Sequence, residues 1–155
     1  EAGLHHYEVS NFARDGFRCR HNRGVLGKAG TIVGVGPAAT STIGGERWTN
    51  PEGEGWLEQV REGRRCPERE PLDRATRALE LMMLRLRTVD GLPLDAYESL
   101  AGRSFLGDHG PFAHRLCAEG LARMENGVFR LTDEGMLVSN SILGELFEEE
   151  PKSAE

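Results

Sequence analysis

The sequence predicts a mixed α/β chain, of the α+β kind, in which a glycine-rich half with strands precedes a helical half. More than half of the glycines lie before residue 71, between short apolar runs with the length and alternation typical of strands. After residue 71, apolar residues recur at steps of three and four, as on amphipathic helices. The length of 155 residues allows one domain or two small ones.

The glycine-rich half is expected to hold three strand regions. The alternation in residues 7–12 predicts a short strand, and the apolar run 31–35 predicts a strand that is buried on both faces. The Gly44-Gly45 pair predicts a hairpin turn between two further strands. The Gly34-x-Gly36 pair lacks the third glycine of a dinucleotide-binding loop, so it predicts a tight strand end where a ligand or other backbone comes close.

A short helix and a charged linker are expected to close this half. The helix starts near Glu54 and ends at Gly63, since glycine readily terminates helices. Its buried side is expected to carry Trp56, Leu57 and Val60. Residues 63–71 are rich in charge and predict a linker that Pro71 closes.

The helical half is expected to begin with a helix from Leu72 to about Arg87. Its buried stripe is predicted to be Ala75, Leu79, Met82, Met83 and Leu86. A turn over 89–91 follows, and a second helix then starts at Pro93 and ends at Gly102, because proline suits a first helical turn and glycine a helix end.

A third helix, a hairpin and a last helix are expected in the C-terminal part. The third helix covers 111–119, with Phe112, Leu116 and Cys117 inward. Asn126-Gly127 predicts a hairpin turn. Thr132 is the expected N-cap of the last helix, because its side-chain oxygen can accept from free backbone amides. The buried side of that helix is predicted to be Met136, Leu137, Ile142, Leu143, Leu146 and Phe147.

This order of three helices, a hairpin and a helix is that of winged-helix domains, which raises the question of DNA binding. Residues 72–148 hold eight basic and twelve acidic side chains, and the whole chain has a net charge of −6. The third helix offers only Arg115 and His114, with Glu119 opposing them. A groove-reading helix needs cations for the phosphates, so the sequence favours a structural or docking domain over DNA binding.

Cysteine usage and hydropathy indicate a cytoplasmic chain without an integral membrane segment. Cys19, Cys66 and Cys117 are far apart and odd in number, which fits reduced thiols and no metal motif. No apolar run approaches the roughly 18 residues of a membrane span. His5 and His6 are adjacent, so on a strand they face opposite sides, and both are expected to be surface residues rather than ligands.

Five segments occur in an order that resembles a known family. They are YEVSNFARDG at 7–16, RHN at 20–22, VGVGPAA at 33–39, LRTVDGL at 86–92, and LTDEG with a following asparagine at 131–140. This series is similar to the HemW-like haem chaperones and the related oxygen-independent coproporphyrinogen III oxidases, within the radical S-adenosylmethionine (SAM) superfamily.

The resemblance implies an architecture and cofactors. Residues 1–66 would be the last strands of a radical SAM partial TIM barrel with the HN loop, and 71–148 a HemN C-terminal-type, winged-helix-like domain. The composition of 149–155 separately predicts a frayed acidic tail. The family holds a [4Fe–4S] cluster through a Cys-x3-Cys-x2-Cys run that this sequence lacks. We therefore expect an N-terminally truncated chain, inactive alone, whose parent binds the cluster, SAM and haem or a porphyrin.

The resemblance also implies site residues. His21 in the HN motif would ligate haem iron, as a neutral imidazole can. Arg20 would bind a propionate, because guanidinium and carboxylate pair bidentately; a plain solvated loop containing Arg14, Arg18, Arg20 and Arg23 is the alternative. Ala13 matches a backbone contact to SAM, and Cys66 matches a second one.

Several functions stay open at this point. The aromatic pair that follows HN in the family is replaced by residues 24–26, Gly-Val-Leu, and the histidine of its GPGAH segment by Ala39 or Thr40. The parent could deliver haem to apo-proteins, oxidatively decarboxylate coproporphyrinogen III, or act on another substrate as a paralogue. A winged-helix docking module is the non-enzymatic alternative.

Overall fold

The computed structural model describes residues 3–20, 31–63 and 68–148. It begins with an antiparallel hairpin of β1 (His5–Glu8) and β2 (Asn11–Ala13). The single strand predicted over 7–12 is therefore wrong. The Glu8 carboxylate accepts hydrogen bonds from the Ser10 amide and the Asn11 side chain, and these local bonds stabilise a turn instead of continued extension.

A four-stranded antiparallel sheet follows, with the strand order β3-β4-β5-β6. Its strands are β3 (Thr31–Ile32), β4 (Thr40–Ile43), β5 (Glu46–Thr49) and β6 (Glu70–Pro71). The predicted turn at Gly44-Gly45 is confirmed, with φ values of +62° and +88° that suit a two-residue hairpin loop. The last residues of the predicted 63–71 linker form β6, which pairs with β5.

The apolar run 31–35 is not buried, contrary to prediction. Only two of its residues form β3, which lies at the sheet edge, and Val35 is 88% exposed. The chain leaves the strand at Gly34, where a Cβ would lie 2.5 Å from the carbonyl oxygen of Thr40. The predicted close backbone approach at Gly34 is thus confirmed.

The predicted short helix is α1 (Gly53–Arg61), and it ends before Gly63, whose φ is +66°. Its predicted apolar side is not buried, since Val60 is 57% exposed and Leu57 is also exposed. Trp56, the third residue predicted on this side, is half-buried.

The C-terminal unit contains five helices and a three-stranded sheet within the described residues. The elements in chain order are α2 (Arg74–Arg85), β7 (Leu92–Pro93), α3 (Leu94–Ala101), α4 (Phe105–Ala118), β8 (Ala122–Glu125), β9 (Val128–Leu131), α5 (Asp133–Leu137) and α6 (Ser139–Glu148). The sheet order is β7-β9-β8, all antiparallel. The main hydrophobic core lies between residues 78 and 146 and includes Phe105, Phe112, Phe129 and Leu146.

Two helix boundaries differ from those predicted. The third helix starts at Phe105, before the predicted 111, and bends at His109, whose φ of −124° is not helical. Pro111 follows the bend and has no amide hydrogen to donate. It therefore lies in the first turn of the second segment of the helix, after the bend, and not at the start of the helix. The last helix is divided at Val138 into α5 and α6, which leaves Leu137 exposed.

Burial along α2 is shifted from the predicted stripe. Ala75 and Met83 are exposed, whereas Ala78 and Leu81 join Met82 in the core.

The turn and helix-end residues predicted in this unit are confirmed. Left-handed Gly102 ends α3, Asn126-Gly127 has two positive φ values, and the Thr132 side chain accepts from the Gly135 amide at 3.1 Å.

The N-terminal hairpin joins the C-terminal unit at the turn after α2. The Val9 amide donates to the Arg87 carbonyl at 3.0 Å, and the Val89 amide donates to the Tyr7 carbonyl at 3.3 Å. Tyr7 is buried at this junction. The YEVSNFA and LRT segments therefore lie against each other, and the loop that follows β2 is held beside the C-terminal unit.

Candidate functional site

The loop after β2 carries the described arginines of the predicted site. An open cavity of about 440 Å³ is lined, among the residues described, by Asp15, Gly16, Arg18 and Arg20. Two arginines that are separated by one residue in sequence therefore line the same concave surface, together with the acidic Asp15. Such a cavity suits an anionic group, because guanidinium groups bind carboxylates with paired hydrogen bonds.

The two arginines of this cavity are held differently. The Arg18 guanidinium lies 3.6 Å from the Asp90 carboxylate and 5.9 Å from the centroid of the Tyr7 ring. Arg20 is exposed and forms no ion pair with any described residue. Arg18 is thus fixed against the C-terminal unit, whereas none of the described residues neutralises the charge of Arg20.

Two aromatic side chains of the region are exposed. Phe17 lies between two cavity-lining residues in the chain and is 80% exposed. Phe12 is also exposed, and its ring stacks on His6 with centroids 4.6 Å apart. Exposed aromatic faces of this kind can contact a flat apolar ligand. The exposure of Phe17 follows from the loop conformation, which the sequence pattern did not reveal.

His6 differs from its prediction as a surface residue, whereas His5 is exposed as predicted. The His6 side chain is 15% exposed, with Nδ1 3.9 Å from a carboxylate oxygen of Asp133. The hairpin register places His6 opposite Phe12, which buries the imidazole under the ring. The single strand predicted for 7–12 could not reveal this pairing.

The other predicted site residues are placed as follows. His21 and Cys66 lie outside the described residues. Ala13 ends β2, half-buried, in register with His5. Arg14 is exposed at the start of the loop. The structure thus brings Arg18 and Arg20 together at one cavity.

The described residues do not fit an iron–sulfur cluster or another protein-held metal. They contain no group of three or more His, Cys, Asp or Glu side chains that could hold a metal ion. Cys19 is exposed, and burial raises the pKa of the Cys117 thiol, which disfavours the thiolate that metals require. Over the same ranges, no helix has the length and apolar character needed to cross a bilayer.

A buried polar cluster lies apart from the cavity, between α3 and α4. The Tyr97 hydroxyl donates to Asp108 at 2.9 Å, and Arg103 contacts the same carboxylate oxygen at 2.8 Å. The His109 ring nitrogen Nε2 lies 3.4 Å from the Tyr97 hydroxyl. Burial, and then the Asp108 carboxylate, raise the pKa of Tyr97 to about 12. This network connects α3 to the bend in α4.

Comparisons with known proteins identify similar chains. Residues 72–138 match the HemN C-terminal domain family. The chain is 34% identical to the haem chaperone HemW of Synechocystis, over 95% of this chain and 40% of that protein. It is 32% identical to HemW of Mycobacterium tuberculosis, over 92% and 35%. It is 30% identical to the mitochondrial radical S-adenosyl methionine domain-containing protein 1 of Bos taurus, also over 92% and 35%.

A solved structure shares the fold. The coproporphyrinogen III oxidase HemN of Escherichia coli, a radical SAM enzyme, superposes with a TM-score of 0.65 over 93% of this chain and 37% of its own, at 15% identity. The likeness at this identity concerns the fold alone, and this chain is mixed α+β. The chain spans about 35–40% of the length of the curated relatives named here.

Proposed function

The chain belongs to the family of HemW-like haem chaperones and oxygen-independent coproporphyrinogen III oxidases, and we propose that it is the C-terminal part of a radical SAM protein. This protein would bind haem and deliver it to apo-proteins. The observation that carries this proposal is the cavity lined by Arg18 and Arg20. Haem carries two propionates, and an arginine on a concave surface can bind such a group with paired hydrogen bonds. The HemW names of the relatives favour delivery over catalysis.

The residues around this cavity have distinct proposed roles. Arg20 binds a propionate, because its guanidinium is exposed and forms no ion pair with the residues described. Phe17 covers part of the porphyrin face from the same loop. His21 directly follows Arg20 in the chain and is the proposed axial ligand. When bound, haem supplies an iron that accepts an imidazole nitrogen.

The proposed cofactors of the complete protein are a [4Fe–4S] cluster and SAM. The described residues supply no ligand set for the cluster, so its ligands are assigned to other parts of the protein. Ala13 is the proposed backbone contact to SAM, at the end of a strand beside the basic loop. Cys66 is the second proposed contact, on the family resemblance alone.

The proposed architecture assigns 1–66 to the end of a partial TIM barrel and 71–148 to a winged-helix-like domain with a docking role. The second assignment is supported by the order helix, strand, helix, helix and hairpin, with the first strand added to the hairpin sheet. The predicted acidic tail at 149–155 lies outside the described residues. The expected cytoplasmic location stays a prediction.

Haem titration of the complete protein, followed by the Soret band, tests the proposal. We expect His21→Ala to abolish the spectral shift, and Arg20→Gln to weaken binding about 10–100-fold, the scale of one hydrogen bond to a charged group. His114→Ala and Arg61→Gln are matched controls on exposed positions away from the cavity and should bind as the parent does. Unchanged binding in His21→Ala and Arg20→Gln would contradict the proposal.

The alternative is oxidative decarboxylation of coproporphyrinogen III, whose propionates the same arginines would bind. The fold shared with the Escherichia coli oxidase is the reason to test this reaction as well. Anaerobic incubation of the complete protein with SAM and coproporphyrinogen III distinguishes the two functions. Release of carbon dioxide would support the enzyme, and haem binding without it would support the chaperone.

A further inference from the structure

Two arginines lie directly opposite each other on the three-stranded sheet of the C-terminal unit. Arg123 on β8 is in register with Arg130 on β9. Their strand neighbours Ala122, Phe129 and Leu131 are buried in the core, so both arginines lie on the outer face of the sheet. Like charges at directly opposed positions destabilise an antiparallel pair.

Neither arginine is neutralised by a described residue. No carboxylate of the described ranges lies within ion-pair distance of Arg123 or Arg130. The Nε atom of Arg130 is buried and has no hydrogen-bond partner among these residues. A buried donor without a partner costs free energy, more so in a charged group. Glu125 follows on the same face of β8 and is in register with Val128 instead.

Gly91 packs closely against Arg130. Its φ is +72°, and a Cβ there would lie 2.6 Å from the Cβ of Arg130 and 2.8 Å from the Phe129 carbonyl oxygen. Any side chain at this position would overlap Arg130, so only glycine allows this close contact. The preceding residue, Asp90, forms its ion pair with Arg18. The acidic group nearest to Gly91 in sequence is thus engaged with the basic loop.

We propose that Arg123 and Arg130 form a binding site for a carboxylate group, separate from the Arg18 and Arg20 cavity. A carboxylate between the two guanidiniums would remove their mutual repulsion and accept hydrogen bonds from both. A small polycarboxylic acid and the acidic side chains of a protein segment present the same group. The site does not depend on haem binding, since its residues lie on a different element from the cavity.

Thermal unfolding of the chain in citrate, compared with sodium chloride at equal ionic strength, tests this site. Citrate should raise the unfolding temperature of the parent by about 2–4 °C beyond chloride, because a ligand that binds the folded state stabilises it. Arg123→Gln and Arg130→Gln should each lose this rise. Arg61→Gln, an exposed arginine on α1, is the matched control and should keep it.

Hexaglutamate, compared with hexaglutamine, distinguishes the sources of the carboxylate. Stabilisation by citrate alone assigns the site to a small acid, and stabilisation by hexaglutamate as well assigns it to an acidic segment. Arg123 is exposed, so its variant should fold even if Arg130→Gln does not. Equal stabilisation by citrate and chloride, or an undiminished citrate effect in Arg123→Gln, would overturn the proposal.

Discussion

The α-carbon of Gly135 lies against the carbonyl oxygen of Leu121 so closely that a Cβ at this position would overlap that oxygen. The same oxygen accepts a hydrogen bond from the Thr132 amide at 3.0 Å. The contact therefore joins the first turn of α5 to the residue that precedes β8. It supplies a physical reason for glycine in the LTDEG segment, since the two nearest atoms are the backbone oxygen and carbon of Leu121, which cannot move aside as the end of a flexible side chain can.

Gly135→Ala should therefore destabilise the chain by about 2 kcal/mol or more, the range of overpacking in a rigid site. Chemical denaturation followed by circular dichroism measures this loss. Gly144→Ala on α6 is the matched control, because a Cβ there meets no atom within 4 Å. The control should be neutral or gain up to about 1 kcal/mol from helix propensity. Similar stability of the two variants would contradict the steric argument.

Thr132→Ala should lower the free energy of unfolding by about 1–2 kcal/mol, as for other lost N-caps. The Thr132 hydroxyl accepts from the Gly135 amide and donates to the Gly120 carbonyl at 2.8 Å, so both bonds are lost together. Thr132→Ser keeps the hydroxyl and should restore most of the stability. Equal losses in the alanine and serine variants would show that the hydroxyl is not responsible.

Ala38→Gly should stabilise the glycine-rich half by about 0.5–1 kcal/mol. Ala38 has a φ of +57°, a left-handed conformation that L residues other than glycine adopt at a cost of about 1–2 kcal/mol; the greater freedom of glycine in the unfolded chain offsets part of the gain. Hydrogen exchange of the Asn50 amide, which bonds to the Ala39 carbonyl, reports on this segment. Ala39→Gly is the control and should instead speed up exchange.

Alkaline pH should destabilise the chain through Tyr97. Its pKa is raised to about 12 in the folded chain from an unfolded value of 10, so the folded state keeps the proton longer than the unfolded state does. The stabilising contribution is complete below pH 10 and is lost as the pH rises through about 12. Tyr97→Phe should flatten this part of the stability profile and lose the bond to Asp108. An unchanged profile would argue against Tyr97 as the titrating group.

Residues 71–148 should fold cooperatively as a monomer when expressed alone. The main core cluster lies wholly between residues 78 and 146, so its contacts are kept. Residues 1–65 should aggregate, because β3 is a sheet edge with exposed Val33 and Val35 beside it. Analytical ultracentrifugation and denaturation curves of the two pieces measure this. A well-dispersed, monomeric 1–65 piece would refute the second half of the prediction.

The sequence by itself determined the local turns and helix ends. Gly44-Gly45 and Asn126-Gly127 adopt positive φ values, and Gly102 and Thr132 mark helix termini as predicted. These features depend on the backbone preferences of one or two residues and on hydrogen bonds within a few positions. They are therefore readable without knowledge of the distant chain.

Burial and long-range pairing were decided by the tertiary structure. The apolar run 31–35 has the composition of a buried strand, yet it lies at an exposed edge, because burial depends on what packs against a strand. The start of α4 at Phe105 was obscured by Pro111, although core packing of Phe105 stabilises the bent helix.

The site depends on the same long-range contacts. Docking of the first hairpin on the turn after α2 places Arg18 against Asp90, and Arg18 and Arg20 line the same cavity. Strand register places Arg123 opposite Arg130. A one-residue change of that register would move one arginine to the core face, since side chains alternate along a strand. The amino-acid sequence specifies which residues carry charge, whereas strand register and docking in the folded chain determine which charged side chains lie close together.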